Sequence, residues 1–247
     1  MIIKATDLTT QFGDRVIHDG LNFHVNEAEI YGLLGGSGTG KSTLMKTMIY
    51  LKEPSGGKVE MLGRDLWSLD EAARQEMKLA CSVMFQFGAL YTSMNVLENI
   101  YILLKEYSGM SERSMREIAM FWLQKVGLSE NVALQYPSEL SGGMKKRVAM
   151  ARALVLSPKI LFLDEPNSGL DPSSARAFDE LVVELRDTLG VTVVMVTHDI
   201  DSICTILDRF LILQDKKIAF EGTFEQLMQM PENPLEELLK TRKNGGK

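Results

Sequence analysis

A glycine-rich stretch near the N-terminus has the residue types and the spacing needed to hold phosphate groups. It fits the pattern G-x-x-x-x-G-K-S/T. Glycines let backbone N–H groups turn inward around phosphate oxygens, and a helix that starts directly afterwards adds the positive end of its dipole. Lys41 is placed to reach the β- and γ-phosphates of a nucleotide, and Ser42 to put its hydroxyl on Mg²⁺. The residues predicted to bind the nucleotide here are Gly35, Gly36, Ser37, Gly38, Thr39, Gly40, Lys41, Ser42 and Thr43.

Two carboxylates close a second apolar run, KILFLDEP. The apolar residues carry Asp164 and Glu165 to the carboxyl end of a predicted strand, where ligands gather in open α/β sheets. Asp164 suits Mg²⁺, usually through water. Glu165 is placed to orient or deprotonate an attacking water. The alternative, a pair of solvated carboxylates at a strand end, loses weight beside a phosphate-binding loop.

Two further polar residues follow apolar runs. The segment MVTHD ends another predicted strand and puts His198 on the same rim, where its ring can hydrogen-bond a γ-phosphate. A lone histidine at a strand end is more often structural, and this alternative stays open for the motif taken alone. Gln86, which closes the run in VMFQFG, indicates little by itself.

The segment ELSGGMKKRVAMARAL contains a second possible phosphate site. Ser141, Gly142 and Gly143 stand directly before a predicted helix, so they offer a second set of backbone N–H groups and a second helix dipole. Two such helix starts in one chain suggest either two nucleotides or one nucleotide shared between two subunits. The alternative is an ordinary helix for which Ser141 is the N-cap.

Strands and helices alternate along most of the chain. MIIKATDLTTQF and LNFHVN alternate apolar and polar residues, which predicts antiparallel edge strands. Continuous apolar runs followed by helical patterns indicate a parallel sheet packed between helices. The predicted fold class is therefore α/β, with a parallel core sheet between helices, an antiparallel β subdomain, and an inserted helical subdomain over about 90–155. The core runs are AEIYGLL, KILFLDEP and VTVVMVTH.

Composition limits the partners. The 247 residues carry a net charge of −6, which argues against nucleic acid because phosphate backbones require a basic footprint. No run approaches the ~18 apolar residues of a membrane span. MIIKATDLTT also lacks the layout of a signal peptide. We expect a cytoplasmic chain that needs a partner for any work on a membrane, with Cys81 and Cys204 as free core thiols.

The order of these motifs resembles that of the ATPase subunits of ABC transporters over nearly the whole chain. The resemblance implies a P-loop NTPase of ABC type over residues 1–222, with a short C-terminal helical tail over 223–247. The matching elements are an aromatic residue (Phe12), Walker A (35–43), the Q-loop (Gln86), the signature LSGGM, Walker B (Asp164 and Glu165), the D-loop SGLD (168–171) and the H-loop (His198).

The resemblance also implies how the residues work. ATP and Mg²⁺ are the expected cofactors, and two subunits sandwich two ATP molecules head to tail, each phosphate loop facing the partner's Ser-Gly-Gly. The implied catalytic residues are Glu165, His198, Gln86 and Lys41, and the implied Mg²⁺ ligands are Ser42, Gln86 and Asp164. The remaining implied nucleotide contacts are Phe12, Gln86, Ser141, Gly142, Gly143 and Asp171.

Local segments resemble one branch of this family, the Mla-type ATPases that power intermembrane phospholipid transport in double-membraned bacteria. These segments are SELSGGM, FQFGALYTSMNVLENI and DKKIAFEG. The branch implies a homodimer held by an integral-membrane permease at the cytoplasmic face of the inner membrane, with further Mla-type subunits and a phospholipid substrate. The resemblance to the family as a whole implies that the segment after Gln86 forms a groove for a permease helix, with Leu90, Tyr91 and Met94 among its residues, and ordinary core packing is the alternative.

One position departs from the family, and other functional classes remain as alternatives. Met144 stands where most members carry glutamine, and a thioether cannot donate a hydrogen bond. An importer ATPase for another small solute is the main alternative. A soluble ABC ATPase acting on DNA or ribosomes is disfavoured by a single cassette without sustained heptads. A non-enzymatic nucleotide-binding module is disfavoured because Glu165 and His198 are both present.

Overall fold

The computed structural model describes residues 1–231 and 233–234. In these residues the strands are β1 (Ile3–Phe12), β2 (Arg15–Val25), β3 (Ile30–Gly35), β4 (Gly56–Met61), β5 (Arg64–Asp65), β6 (Cys81–Met84), β7 (Ile160–Asp164), β8 (Thr192–Val196), β9 (Arg209–Gln214) and β10 (Lys217–Gly222). The α-helices are α1 (Lys41–Met48), α2 (Glu71–Ala80), α3 (Val96–Tyr107), α4 (Glu112–Lys125), α5 (Gly142–Leu154), α6 (Pro172–Leu189), α7 (Ile200–Thr205) and α8 (Phe224–Met228).

A six-stranded sheet forms the centre of the molecule. Its strand order is β10-β9-β3-β8-β7-β6, and among the described strands only β10, at one edge, pairs antiparallel to its neighbour. Strands β3 and β8 are buried at every residue, as strands covered on both faces require. Because parallel strands end at the same edge of the sheet, the segments that follow β3, β7 and β8 meet there.

An antiparallel sheet with the order β2-β1-β4-β5 lies against this core. Apolar side chains of β1 and β2 share a core cluster with Leu44 and Met45 of α1, so this helix is enclosed by apolar residues of both sheets. The predicted α/β class, with its parallel core sheet and antiparallel subdomain, is confirmed.

The predicted helical subdomain contains α3, α4 and α5. Helix α4 begins after its N-cap Ser111, whose Oγ accepts the Ser114 N–H at 3.2 Å. Helix α3 begins with a capping box, in which Asn95 Oδ1 accepts the Glu98 N–H at 3.0 Å and Glu98 Oε2 accepts the Asn95 N–H at 2.8 Å. The three helices share one buried apolar cluster with α6, so they rest on the face of the core sheet that α6 covers.

Three features differ from the sequence prediction or extend beyond it. The four residues of β6 were not predicted as a strand, yet they pair with β7 from Cys81 to Met84. This pairing brings Gln86 to the edge of the sheet where β7 ends. Cys204 is exposed on the six-residue helix α7, so its expected place in the core is wrong. The predicted tail over 223–247 begins with α8, and residues 232 and 235–247 lie outside the described residues.

Candidate active site

The phosphate loop connects β3 to α1, and its path requires glycine. Gly35 and Gly40 have φ angles of +148° and +101°, which disfavour residues with a side chain. A Cβ on Gly35 would also lie 2.6 Å from Thr39 Oγ1 and 2.7 Å from the Leu213 carbonyl oxygen. A Cβ on Gly40 would collide with the ring of His18. The close packing around the loop therefore fixes the direction of its backbone N–H groups.

Lys41 is buried at the start of α1, with 8% of its surface exposed. Its Nζ donates hydrogen bonds to the carbonyl oxygens of Gly35 at 2.9 Å and Gly36 at 2.8 Å. Burial lowers the pKa of Lys41, and the carboxylates of Glu165 and Asp164 oppose this shift. The ammonium group is thus held across the loop, where it gives the site a cation for phosphate oxygens.

His18 packs against the phosphate loop at Gly40. This residue was not identified from the sequence. Its ring is fully buried beside Gly40, and its Nδ1 lies 2.7 Å from Thr10 Oγ1. Burial lowers the pKa of His18 to about 4, so the ring is neutral at physiological pH. No motif contains this residue. The alternation of β2 places it on the inner face, where a histidine is not distinguishable from other buried side chains.

Asp164 ends β7 directly opposite the first residues of α1. Burial raises the pKa of its carboxyl, and the neighbouring Glu165 acts in the same direction. Lys46, a hydrogen bond from the Ser42 hydroxyl and Lys41 oppose the rise. A hydroxyl and a carboxylate in contact are hard oxygen donors of the type that Mg²⁺ prefers, so Ser42 and Asp164 fit the predicted metal site.

Glu165 is the residue on which three segments converge. Gln86 Nε2 donates to Glu165 Oε2 at 3.1 Å and to Ser168 Oγ at 3.0 Å. His198 Nδ1 lies 3.3 Å from Glu165 Oε1. The structure therefore brings three of the predicted catalytic residues into direct contact, and Lys41 interacts electrostatically with the same carboxylate.

A cavity of about 1000 Å³ opens beside these groups and has space for a nucleotide. Phe12 lies at its rim with 54% of its surface exposed, and Lys52 Nζ stands 5.0 Å from the centre of its ring. An exposed aromatic ring in this position suits stacking with a base. The predicted site residues that line the cavity are Phe12, Gly35, Gly36, Ser37, Gly38, Gly40, Lys41, Ser42, Thr43, Glu165 and His198.

Other predicted site residues stand outside this cavity. Ser141 is the N-cap of α5, and its Oγ accepts the Met144 N–H at 3.3 Å. Gly142 and Gly143, the first residues of α5, do not line the cavity. Asp171 caps α6 by accepting the N–H groups of Ser173 and Ser174. One chain thus assembles the phosphate loop with the carboxylates and leaves the signature residues apart from them.

Lys146 is a second residue that the sequence analysis missed. It lies on α5 with 6% of its surface exposed, and its Nζ donates to the carbonyl oxygens of Glu165, at 3.4 Å, and Pro166. The available signal was its spacing, since Lys146, Met150 and Leu154 recur every four residues and share the buried face of the helix. A lysine in that register needs acceptors inside the protein.

The fold and this arrangement of motifs define an ATP-binding cassette, and the chain belongs to the ABC transporter family. The family model described as "ABC transporter" matches residues 18–168. Within that family, the chain is a subunit that binds and hydrolyses ATP. In the part of the chain that the structure describes, no helix has the length and apolar character needed to cross a membrane.

Comparisons with individual proteins agree with this assignment. MlaF of Haemophilus influenzae, an intermembrane phospholipid transport system ATP-binding protein, is 36% identical over 99% of this chain and 92% of its own length. MetN of Brucella abortus, a methionine import ATP-binding protein, is 35% identical over 95% of this chain and 63% of its own length. The dimeric cassette MJ0796 in a post-hydrolysis state with ADP and Pi has a TM-score of 0.80 at 29% identity, covering 90% of this chain and 98% of that one. The resemblance to Mla-type ATP-binding subunits is confirmed.

Proposed function

We propose that two copies of this chain bind two ATP molecules between them and drive phospholipid transport through an integral-membrane permease. In each copy the phosphate loop and Lys41 hold the phosphates of ATP, and Phe12 stacks on the adenine. Glu165 activates the attacking water, with His198 and Gln86 at its two carboxylate oxygens. Ser42 and Asp164, with Gln86, hold Mg²⁺, which supplies positive charge to the phosphate oxygens.

The main support for the proposed dimer is the open space around the signature glycines. Gly142 and Gly143 have the backbone of helix α5, not a left-handed conformation that would require glycine. Among the described residues, a Cβ on Gly142 would meet no atom within 4 Å, and one on Gly143 would lie 3.8 Å from Leu170 Cδ2, an ordinary contact. Nothing in the part of the chain that the structure describes therefore accounts for two glycines at the start of a helix. Close approach by a phosphate group of the partner's ATP does account for them.

Two neighbouring substitutions test this role. Gly143→Asp is expected to lower the ATP hydrolysis rate at least about 100-fold, because its carboxylate would face a γ-phosphate, at a cost of several kcal/mol. Met144→Gln is expected to leave the rate within a few fold of the unchanged protein, since the N–H groups of Ser141 and Gly143 remain in place. Steady-state ATPase rates of both variants are the measurement.

The folded state serves as the control for this pair. Both substitutions are at partly exposed positions in the first turn of one helix, so both variants should unfold at nearly the same temperature as the unchanged chain. Equal hydrolysis rates in the two variants would show that the segment is only a helix cap. A large loss in Met144→Gln would show instead that the thioether itself is required.

The proposed docking surface for the permease follows Gln86. Phe87 and Tyr91 are exposed by 85% and 52%, which is unusual for side chains of this size in one short segment. Leu90, predicted to belong to the groove, packs partly against the core, and Met94 is half-buried. Asn99, fully buried on α3, donates from Nδ2 to the carbonyl oxygens of Tyr91 and Met94 at 3.0 Å each and accepts the Tyr91 N–H.

A charge at this surface is expected to release the permease. Tyr91→Asp should fold, bind ATP normally and fail to co-purify with the permease, because forming the complex would remove the new carboxylate from water. Met94→Asp should act in the same direction, with some loss of stability because this side chain is half-buried. Co-purification from membranes expressing both proteins measures the effect, with Leu189→Asp, at a 46% exposed position, as the matched control.

Two outcomes would contradict the docking assignment. If Tyr91→Asp unfolds while Leu189→Asp does not, the segment belongs to the core. If Tyr91→Asp assembles and supports transport at the normal rate, the permease binds elsewhere on the chain.

Phospholipid is proposed as the substrate because the likeness to MlaF covers nearly the full length of both chains. Import of a small solute is the second candidate, favoured by the likeness to MetN. In either case the chain would sit at the cytoplasmic face of the membrane, held by the permease and, for the first candidate, by further Mla-type subunits. The net charge of −6 continues to disfavour nucleic acid.

Reconstitution of the chain with its permease separates the two candidates. We expect ATP-dependent movement of a fluorescent phospholipid between vesicles, and no ATP-dependent uptake of methionine. Uptake of methionine without lipid movement would support the importer and overturn the lipid assignment. The complex carrying Glu165→Gln provides the control without hydrolysis.

A further inference from the structure

Lys146 is buried beside the predicted catalytic carboxylate without being part of any motif. Within residues 1–231 and 233–234, its Nζ contacts the main-chain carbonyl oxygens of Glu165 and Pro166 and pairs with no carboxylate oxygen. A buried ammonium group is costly unless its N–H groups find acceptors, and these carbonyls supply them. The contact therefore joins the signature helix α5 to the point where β7 ends.

The backbone at that point is held in an unfavourable conformation. Glu165 has a φ of +47°, in the left-handed region that residues with a Cβ disfavour. Its N–H donates to the Val196 carbonyl at 2.9 Å, and its own carbonyl accepts the Ser168 N–H at 3.1 Å in addition to Lys146 Nζ. Such conformations persist where neighbouring groups fix them, and they are frequent at functional sites.

We infer that Lys146 is a positioning residue for hydrolysis, which holds the main chain of Glu165 so that its carboxylate meets Gln86 and His198. It acts through the backbone, and it is not among the residues that line the cavity beside the phosphate loop. The inference rests on the proposed function, in which Glu165 activates the attacking water. It adds that the signature helix of a chain supports the catalytic carboxylate of that same chain.

Helix α5 connects Lys146 rigidly to the signature glycines. Lys146 lies four residues after Gly142, about 6 Å along the helix at 1.5 Å per residue. Apolar side chains bury the helix from Val148 onward, so it is anchored in the core and its first turns are rigidly connected to that anchor. A shift of the signature helix would therefore move the ammonium group relative to the Glu165 carbonyl.

The charge state of Lys146 agrees with this role. Burial lowers its pKa to about 8, and the carboxylate of Glu165 opposes the shift. At neutral pH the group is therefore mainly protonated. An ammonium group has three N–H donors, enough for both carbonyl oxygens. Neither methionine, which has no donor, nor a neutral aliphatic residue can replace these contacts.

The test separates hydrolysis from ATP binding. Lys146→Met keeps an unbranched apolar side chain of similar length to the lysine stem and removes the N–H donors. We expect kcat to fall at least about 30-fold while the ATP affinity and the KM change less than about threefold. Lys146→Arg should recover most of the rate, because guanidinium N–H groups can reach the same carbonyls. Lys145→Met, the same change one residue earlier and outside the buried face, is the matched control.

A double variant shows whether Lys146 acts through Glu165. If it does, Lys146→Met added to Glu165→Gln should lower the residual hydrolysis rate no further, since the group that it positions is already absent. An additional loss equal to that of the single variant would overturn the inference. A Lys146→Met variant with normal kcat would also overturn the inference. So would a Lys146→Met variant that is inactive because it is unfolded at the assay temperature, if Lys146→Arg recovers no activity.

Failure of the proposed function would look different. ATP-dependent dimerisation depends on the signature residues, so Lys146→Met should still dimerise with ATP as Glu165→Gln does. If neither variant dimerises, the isolated chain does not form the facing-site dimer without its permease, while the comparison of kcat values still tests Lys146. If Glu165→Gln dimerises and Lys146→Met does not, Lys146 supports the signature helix and not Glu165, and the inference is overturned.

Discussion

Replacing Glu165 with glutamine is expected to lower the ATP hydrolysis rate by a factor of about 10²–10⁴, the range typical for loss of a general base. Glutamine keeps the shape of the side chain and can still contact Gln86 and His198, but it cannot accept a proton from water. ATP affinity should stay within a few fold, because the phosphate loop and Lys41 are unchanged. A rate assay and an equilibrium ATP titration on the same preparation measure the two quantities.

The same variant should accumulate as an ATP-bound dimer. Without hydrolysis the two ATP molecules remain between the subunits, and size-exclusion chromatography with ATP and Mg²⁺ should show the larger species. Glu117→Gln, at an exposed position of α4, is the control that should stay active. A Glu165→Gln chain that hydrolyses ATP normally would remove Glu165 from the mechanism. Slow hydrolysis without a dimer would count against dimerisation of the chain without its permease.

Replacing Lys41 with alanine is expected to weaken ATP binding by about 2–5 kcal/mol, or about 30- to 5000-fold, because a charge pair in a desolvated site is lost. The carbonyl oxygens of Gly35 and Gly36 also lose their donor, so the loop itself should become less ordered. Isothermal titration with ATP is the measurement.

The control for this variant is Lys58→Ala, at an exposed position of β4. That change removes the same charge from a residue that does not line the cavity beside the loop, so it should leave ATP affinity unaltered. Unfolding temperatures of both variants show whether the fold is intact. An unchanged affinity in Lys41→Ala would mean that the nucleotide phosphates bind somewhere other than this loop.

The fold was predictable wherever the local pattern was long. The apolar runs that became β3, β7 and β8 have the continuous hydrophobicity of strands buried on both faces, and the helical subdomain over about 90–155 was predicted as a whole. Strand β6 has only four residues, too few for a pattern to distinguish a strand from a turn. Its existence depends on pairing with β7, which is not a local property.

The site was predictable where a motif concentrates its chemistry in neighbouring residues. The phosphate loop and the pair Asp164–Glu165 are of this kind. Lys146 contacts the main chain of Glu165, and His18 packs against Gly40. Both partners are distant in the sequence, so these contacts are visible only in three dimensions. The left-handed backbone of Glu165 was equally invisible, because glutamate gives no signal for a positive φ.

The segment that carries Tyr91 is already ordered before any partner binds. Asn99 fixes it through both ends of its amide, and Arg152 donates to the carbonyl oxygens of Ala89 and Gly88 on its other side. A loop held in this way does not have to lose backbone freedom on association, so the entropic cost of forming a complex falls mainly on the exposed side chains, about 0.5–1.5 kcal/mol for each that becomes immobilised. Affinity for a membrane partner should therefore decrease when Asn99 is replaced, even though Asn99 itself is fully buried and cannot touch that partner.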